Sequence, residues 1–223
     1  MQTLINFLDQ QDIQLLPYQE EVIQTFQKDT NGIIEAPTGR GKTLAMALAI
    51  IHDAQEKNIR PKMVWVTPMR ALARDTSHQL STIFSYFYDD IKIILRTSDS
   101  SSYQKKKARD NDWDILITTP ESCALFTTYS DMIESLKQIQ VLVVDEWHVL
   151  VHQKRGILFE LFLSWLSHFN STVKRWGLSA TISSISDACQ VLSPNQPVLC
   201  VSDPYKKEIT GKLLLPVSDN RSF

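Results

Sequence analysis

Cysteine is scarce in this chain. Only Cys123, Cys189 and Cys200 occur in 223 residues, and no C-x-x-C pair is among them. An odd number at wide spacing argues against a disulfide framework and against a zinc site, and it fits a reducing compartment, so a cytoplasmic location is expected. An excess of either charge is also missing. The 23 Lys and Arg residues face 25 Asp and Glu residues, for a formal net charge of −2. Any affinity for nucleic acid must therefore come from a local face and from backbone amides. Long apolar runs are missing as well. The longest, Leu44 to Ile51, is far too short to span a bilayer, and no membrane partner is expected. Met1-Gln2-Thr3-Leu4 is not a basic region followed by an apolar stretch, so no signal peptide is expected. Internal repeats and low-complexity segments are absent too. What remains is a length and a hydrophobic share (43%) sufficient for one large α/β domain, alone or with a short extension.

The stretch Ala36-Pro37-Thr38-Gly39-Arg40-Gly41-Lys42-Thr43 organises the rest. It follows the β-branched run Gly32-Ile33-Ile34-Glu35 and precedes the apolar, helix-forming run Leu44 to Ile51. Strand, glycine-containing loop and helix in that order form the context of a phosphate-binding loop. Gly39 and Gly41 allow a tight turn that aims successive N–H groups at one anion. The helix starting near Lys42 adds its positive end, Lys42 adds a point charge, and the Thr43 hydroxyl can ligate Mg²⁺. Ala36 stands where the usual pattern has its first glycine.

Apolar spacing predicts helices within residues 1–30, the second opened by Pro17. Gln19, just inside that start, carries an amide that can read the adenine N6 and N7 edge. Strands are expected over 62–67, 91–95, 114–119, 141–144, 174–179 and 197–201. Helices are expected over 69–88, 156–169 and 184–192, with one or two more in 121–138. Residues 97–112 are polar, and the run Lys105-Lys106-Lys107 with Arg109 reads as a solvated helix face. Alternating strands and helices predict a doubly wound parallel sheet. Residues 1–203 form the expected domain, and 204–223 read as a connector leaving it.

Val141-Leu142-Val143-Val144 is apolar on both faces, as a central parallel strand would be. Asp145 and Glu146 follow it directly. Ligands gather at the carboxyl ends of such strands, which puts these acids on the same edge as the phosphate loop. One carboxylate can hold Mg²⁺ through water while its neighbour acts on the attacking water, the two roles phosphoryl transfer needs. His148 and His152 are four apart, but no H-E-x-x-H stands there, so a zinc site is not expected.

With these residues in hand, the chain resembles a known family. Asp145-Glu146-Trp147-His148 resembles the D-E-x-H box of superfamily 2 helicases, and Ser179-Ala180-Thr181 resembles their S-A-T motif. Thr67-Pro68-Met69-Arg70-Ala71-Leu72 is similar to motif Ia and Thr118-Thr119-Pro120-Glu121-Ser122 to motif Ib. The wording is most similar to the Lhr-type (large helicase-related) group, including its bacterial branch associated with a DNA ligase. Arg96-Thr97-Ser98-Asp99 resembles that group's R-T-G-D, with Ser98 in place of glycine.

The resemblance implies a RecA-like first motor domain, with ATP bound by Gln19, Pro37, Thr38, Gly39, Arg40, Gly41, Lys42 and Thr43. It implies Mg²⁺ on Thr43 and Asp145, and catalysis by Lys42, Asp145 and the base Glu146. Arg70, Arg96, Thr97, Thr119 and Ser122 would meet single-stranded or partly duplex nucleic acid. His148, Ser179 and Thr181 would couple nucleotide state to a second RecA-like domain of the parent chain. The family implication is 3′ to 5′ movement on DNA, in DNA repair, although these residues leave DNA and RNA both open. No second motor core or Q-x-x-R-x-x-R segment occurs in these residues, so weak turnover is expected. A nucleotide-gated clamp that binds nucleic acid without unwinding it is the alternative, and a small-molecule kinase would not need the T-P-x-R, T-T-P-E-S and S-A-T segments.

Overall fold

The structure is a computed structural model that describes residues 2–151, 154–182 and 184–205. Most of the expected connector, including Ile209 to Val217, lies outside the described residues, and so does His152.

Two short helices lead in, α1 (Gln2–Gln10) and α2 (Pro17–Phe26). Strand β1 (Asn31–Glu35) feeds α3 (Lys42–Glu56), and β2 (Met63–Val66) feeds α4 (Arg70–Phe87). The chain continues through β3 (Ile93–Arg96), α5 (Ser102–Arg109), β4 (Ile115–Thr118), α6 (Pro120–Phe126), α7 (Ser130–Lys137) and β5 (Val141–Val144). A 3-10 turn at Trp147–Val149, α8 (Lys154–Phe169), β6 (Lys174–Ser179), α9 (Ile185–Leu192) and β7 (Val198–Ser202) complete it. The polar segment 97–112 is thus partly helical, capped by the Ser101 hydroxyl, which accepts from the Gln104 N–H. Lys106 and Arg109 are exposed on it, while Lys105 donates to the Ser98 carbonyl.

All strands pair in parallel in one sheet of order β3-β4-β2-β5-β6-β1-β7. Side chains alternate across it with period two. In β5, Val141 and Val143 pack under α1 to α4, whereas Leu142 and Val144 pack under α5 to α9. Both faces are covered, so the central strands are continuous apolar runs rather than alternating ones. Helix α3 is buried from Ala45 to Ala54, which accounts for its uninterrupted apolar sequence. Gly32 is required by packing: a Cβ there would sit 2.6 Å from the Trp176 ring.

The order of strands sets the site. The loops after β1 and β5 leave the same sheet edge with the end of β6 between them. That middle position belongs to Ser179.

Candidate nucleotide and nucleic-acid site

The loop after β1 is shaped by two left-handed glycines, Gly39 (φ 83°) and Gly41 (φ 80°). No Cβ is needed at either, which is the condition for a backbone that curls around an anion. Lys42 opens α3 with its ammonium turned into the loop, donating to the Ala36 carbonyl at 2.7 Å and the Pro37 carbonyl at 3.4 Å. Burial lowers its pKa, and the nearby carboxylates of Glu146 and Asp145 oppose that effect.

The acids reach the same place. One cavity of about 660 Å³ is lined by Thr38, Gly39, Gly41, Lys42 and Thr43 together with Asp145 and Glu146. Asp145 is held by its own turn: its Oδ1 accepts from the Glu146 N–H at 2.9 Å. Burial, and then the adjacent Glu146 charge, push the Asp145 carboxyl up to about 6. The Glu146 N–H, Lys42 and the Trp65 indole pull the other way. Trp65 Nε1 is itself buried, with no hydrogen-bond partner among the described residues. Glu146 occupies the left-handed region (φ 48°), costly for a side chain with a Cβ and a recurrent feature of functional sites. Its Oε2 is buried without a hydrogen-bond partner among the described residues.

These features fit a divalent cation. Two adjacent carboxylates, one of them held up by desolvation and repulsion, leave negative charge that Lys42 only partly offsets. Thr43 and Asp145 line the same cavity and supply the hard oxygen donors Mg²⁺ takes.

The remaining expected residues cluster in two ways. Ser179 joins the two loops: its carbonyl accepts from the Ala36 N–H at 3.0 Å, and its hydroxyl donates to the Thr181 carbonyl at 2.7 Å. With that hydroxyl proton committed, the 3.0 Å contact to His148 Nδ1 assigns the proton there to the imidazole. His148 Nδ1 also lies 3.5 Å from Glu146 Oε2, too far for a good bond. Trp147 is buried and donates to the Ala188 carbonyl at 3.2 Å, anchoring the acid-bearing turn to α9.

Gln19 sits at the start of α2, but its amide is spent on backbone. Its Oε1 accepts from the Leu16 N–H at 2.8 Å, and its Nε2 donates to the Arg40 and Gly41 carbonyls at 3.3 and 3.2 Å. In this structure it braces the phosphate loop. Tyr18, which sequence reasoning did not single out, does the same through a 2.5 Å bond to the Arg40 carbonyl. Glu35, Asp203 and Tyr205 were also missed. Glu35 Oε1 accepts from the Ile182 N–H at 3.1 Å, and Asp203 pairs with Arg40 at 2.7 Å. None of these carries a motif; each is defined by a partner distant in sequence.

The nucleic-acid residues divide. Pro68, Met69, Arg70, Ser98, Thr119 and Glu121 line a second cavity of about 450 Å³ at the same sheet edge. Arg70 is exposed and paired with Asp99. Arg96, Thr97, Thr119 and Ser122 are buried instead, at 5%, 5%, 4% and 2% exposure. The Arg96 guanidinium lies 5.3 Å from the ring centroid of Phe126 in α6, and burial lowers its pKa. Thr119 Oγ1 donates to Ser122 Oγ at 3.4 Å, so these hydroxyls shape the turn before α6 rather than project from it. No group of three or more His, Cys, Asp or Glu side chains that could hold a metal occurs among the described residues, and none of the described helices is long and apolar enough to cross a membrane.

Known proteins share this fold. The family model described as DEAD/DEAH box helicase matches residues 16–188. The ATP-dependent helicase Lhr-Core of Methanocaldococcus jannaschii is 34% identical over 220 residues, 91% of this chain and 26% of that protein. Its namesake from Sulfolobus acidocaldarius is 37% identical over 220 residues, again 91% of this chain and 25% of that protein. Among solved structures, Mycobacterium smegmatis helicase Lhr bound to ssDNA and AMP-PNP superposes with a TM-score of 0.79 at 30% identity, covering 87% of this chain and 26% of that one. The chain spans about a quarter of the length of these relatives.

Proposed function

The chain belongs to the DEAD/DEAH box helicase family, and from that premise we propose that it is the first RecA-like half of an ATP-driven motor acting on single-stranded DNA. The single observation that carries this is the shared cavity: the phosphate loop at Lys42 and the acids at 145 and 146 face one space. The choice of DNA rests on the ssDNA named for the similar M. smegmatis protein. Movement 3′ to 5′, and service in DNA repair, are parts of the same proposal and rest on the Lhr-type resemblance.

In this reading ATP is the substrate. The N–H groups of residues 38–43 and the Lys42 ammonium take the β- and γ-phosphates, exchanging the loop carbonyls Lys42 now holds for phosphate oxygens. Thr43 and Asp145 would hold Mg²⁺, and the ion would neutralise charge on the transferring phosphate. Glu146 Oε2, which has no hydrogen-bond partner among the described residues, takes the proton of the attacking water. His148, bonded to Ser179 and close to Glu146, keeps the acid-bearing turn in register with the S-A-T loop. Arg70 meets a phosphate of the nucleic-acid strand beside the second cavity.

The other wall of the nucleotide cleft, with its arginine fingers, belongs to a second RecA-like domain; such fingers are worth roughly three to five orders of magnitude in rate. Residues 1–223 alone are therefore expected to bind ATP weakly and turn it over slowly. Steady-state phosphate release with and without single-stranded DNA tests this. Vigorous DNA-stimulated turnover by these residues alone would overturn the division of labour.

A further inference from the structure

Position 40 lies between the two left-handed glycines of the phosphate loop, and its residue is tied down from both sides. On the backbone side, the Arg40 carbonyl accepts from Tyr18 Oη at 2.5 Å and from Gln19 Nε2 at 3.3 Å. On the other side, Arg40 Nε donates to Asp203 Oδ2 at 2.7 Å, and the guanidinium sits 4.4 Å from the Tyr205 ring centroid. Asp203 follows β7, the last strand among the described residues. Its side chain is 5% exposed, and among the described residues Arg40 is the only cation paired with it. Backbone bonds fix it further: the Asp203 N–H donates to the Glu35 carbonyl at 2.8 Å, and Asp203 Oδ1 accepts from the Tyr205 N–H at 3.1 Å. Glu35 in turn holds the Ile182 N–H, just past the S-A-T segment.

Four segments therefore converge on one arginine: the start of α2, the phosphate loop, the S-A-T loop through Glu35, and the segment after β7. We propose that Arg40 is a positioning residue that straps the phosphate loop to residues 203–205, so that nucleotide binding and the setting of the segment after β7 at 203–205 are coupled. The proposal rests on the nucleotide-binding reading of the site and adds how that site communicates outward. A loop with two glycines at positive φ has many alternative shapes. The Arg40–Asp203 pair holds the loop in the shape seen here. By linkage, whatever nucleotide does to the loop must be felt equally at Asp203 and Tyr205.

The test is a double-mutant cycle on ADP affinity, read by calorimetry, with hydrogen exchange as a second measurement. Wild-type binding of ADP tests the nucleotide reading itself; absence of binding would end both that reading and the strap. Given binding, Arg40→Ala and Asp203→Asn should each weaken ADP about 5- to 10-fold, and the double variant should be no weaker than the worse single one. Arg40→Lys, which keeps the charge and loses the planar stack on Tyr205, should fall between. In the wild type ADP should slow exchange of the Asp203 amide and its neighbours in 199–205, and in Arg40→Ala that slowing should vanish. A merely structural role for Arg40 would leave the ADP-induced slowing in place. Additive losses in the cycle, wild-type affinity in Asp203→Asn, or persistent protection in Arg40→Ala would each overturn the strap.

Discussion

Replacing Asp145 with Asn should make the metal-free protein more stable while removing its response to magnesium nucleotide. The Asp145 carboxyl is lifted to about 6 from an ordinary 3.8, first by burial and second by Glu146. A carboxyl whose folded pKa is raised costs stability wherever it must ionise. That cost is absent below the unfolded value near 3.8 and complete above about 6. A shift of about two units corresponds to roughly 3 kcal/mol at pH 7. Asn keeps the bond from the Glu146 N–H through its carbonyl but brings an amide that needs its own acceptor, so the expected gain is about 1–2 kcal/mol. For a domain of this size that is a rise of roughly 2–8 °C in Tm. Calorimetric melts in chelator at pH 7 and pH 5 measure it, and at pH 5 the gap should narrow by roughly 1.3 kcal/mol and so nearly close, since the folded carboxyl is then largely protonated while the amide penalty is unchanged. Adding Mg²⁺ to protein already holding ADP should raise the wild-type Tm and not the variant's. A variant as stable as or less stable than wild type at pH 7, or a gap that does not narrow on acidification, would refute the claim that this acid is held at the cost of fold stability.

Other perturbations have definite directions. Glu146→Gln should keep nucleotide binding and lower turnover by at least about 10²-fold in a protein carrying both motor halves, as measured by phosphate release; a nucleotide-gated clamp would be indifferent to it. Arg70→Gln should weaken single-stranded DNA binding across sequences and reduce the salt dependence by about 0.7 in log–log slope, read by fluorescence anisotropy. Gly32→Ala should destabilise by roughly 1–3 kcal/mol in urea melts, because its Cβ would meet the Trp176 ring at 2.6 Å.

The parts of the site legible in the sequence were the local ones. The phosphate loop announces itself through two glycines between a β-branched run and an apolar run, and Asp145-Glu146 through a strand apolar on both faces. Both signals follow from backbone geometry within ten residues. The strand order that brings them to one rim follows the general behaviour of parallel α/β sheets. What the sequence did not disclose depends on distant partners. Arg40 and Asp203 pair across 163 residues, and neither looks unusual beside its neighbours. The packing of Arg96 against Phe126 joins residues 30 apart and has no local signature. Thr119 and Ser122 are buried at the start of α6, which the T-T-P-E-S lettering does not state. Gln19 reads as a free amide until three backbone groups claim it. Burial of a polar side chain is decided by what packs on top of it, and a linear pattern carries no record of that.

The claim on which the account stands is that Lys42, Thr43 and the acids after β5 hold one nucleotide and its cation between them. Calorimetric titration of residues 1–223 with ADP, in chelator and then in Mg²⁺, tests it directly. The account predicts binding that tightens with Mg²⁺ in the wild type, that is lost in Lys42→Ala, and that no longer responds to Mg²⁺ in Asp145→Asn. Equal affinity with and without the metal, or wild-type binding in Lys42→Ala, would contradict it.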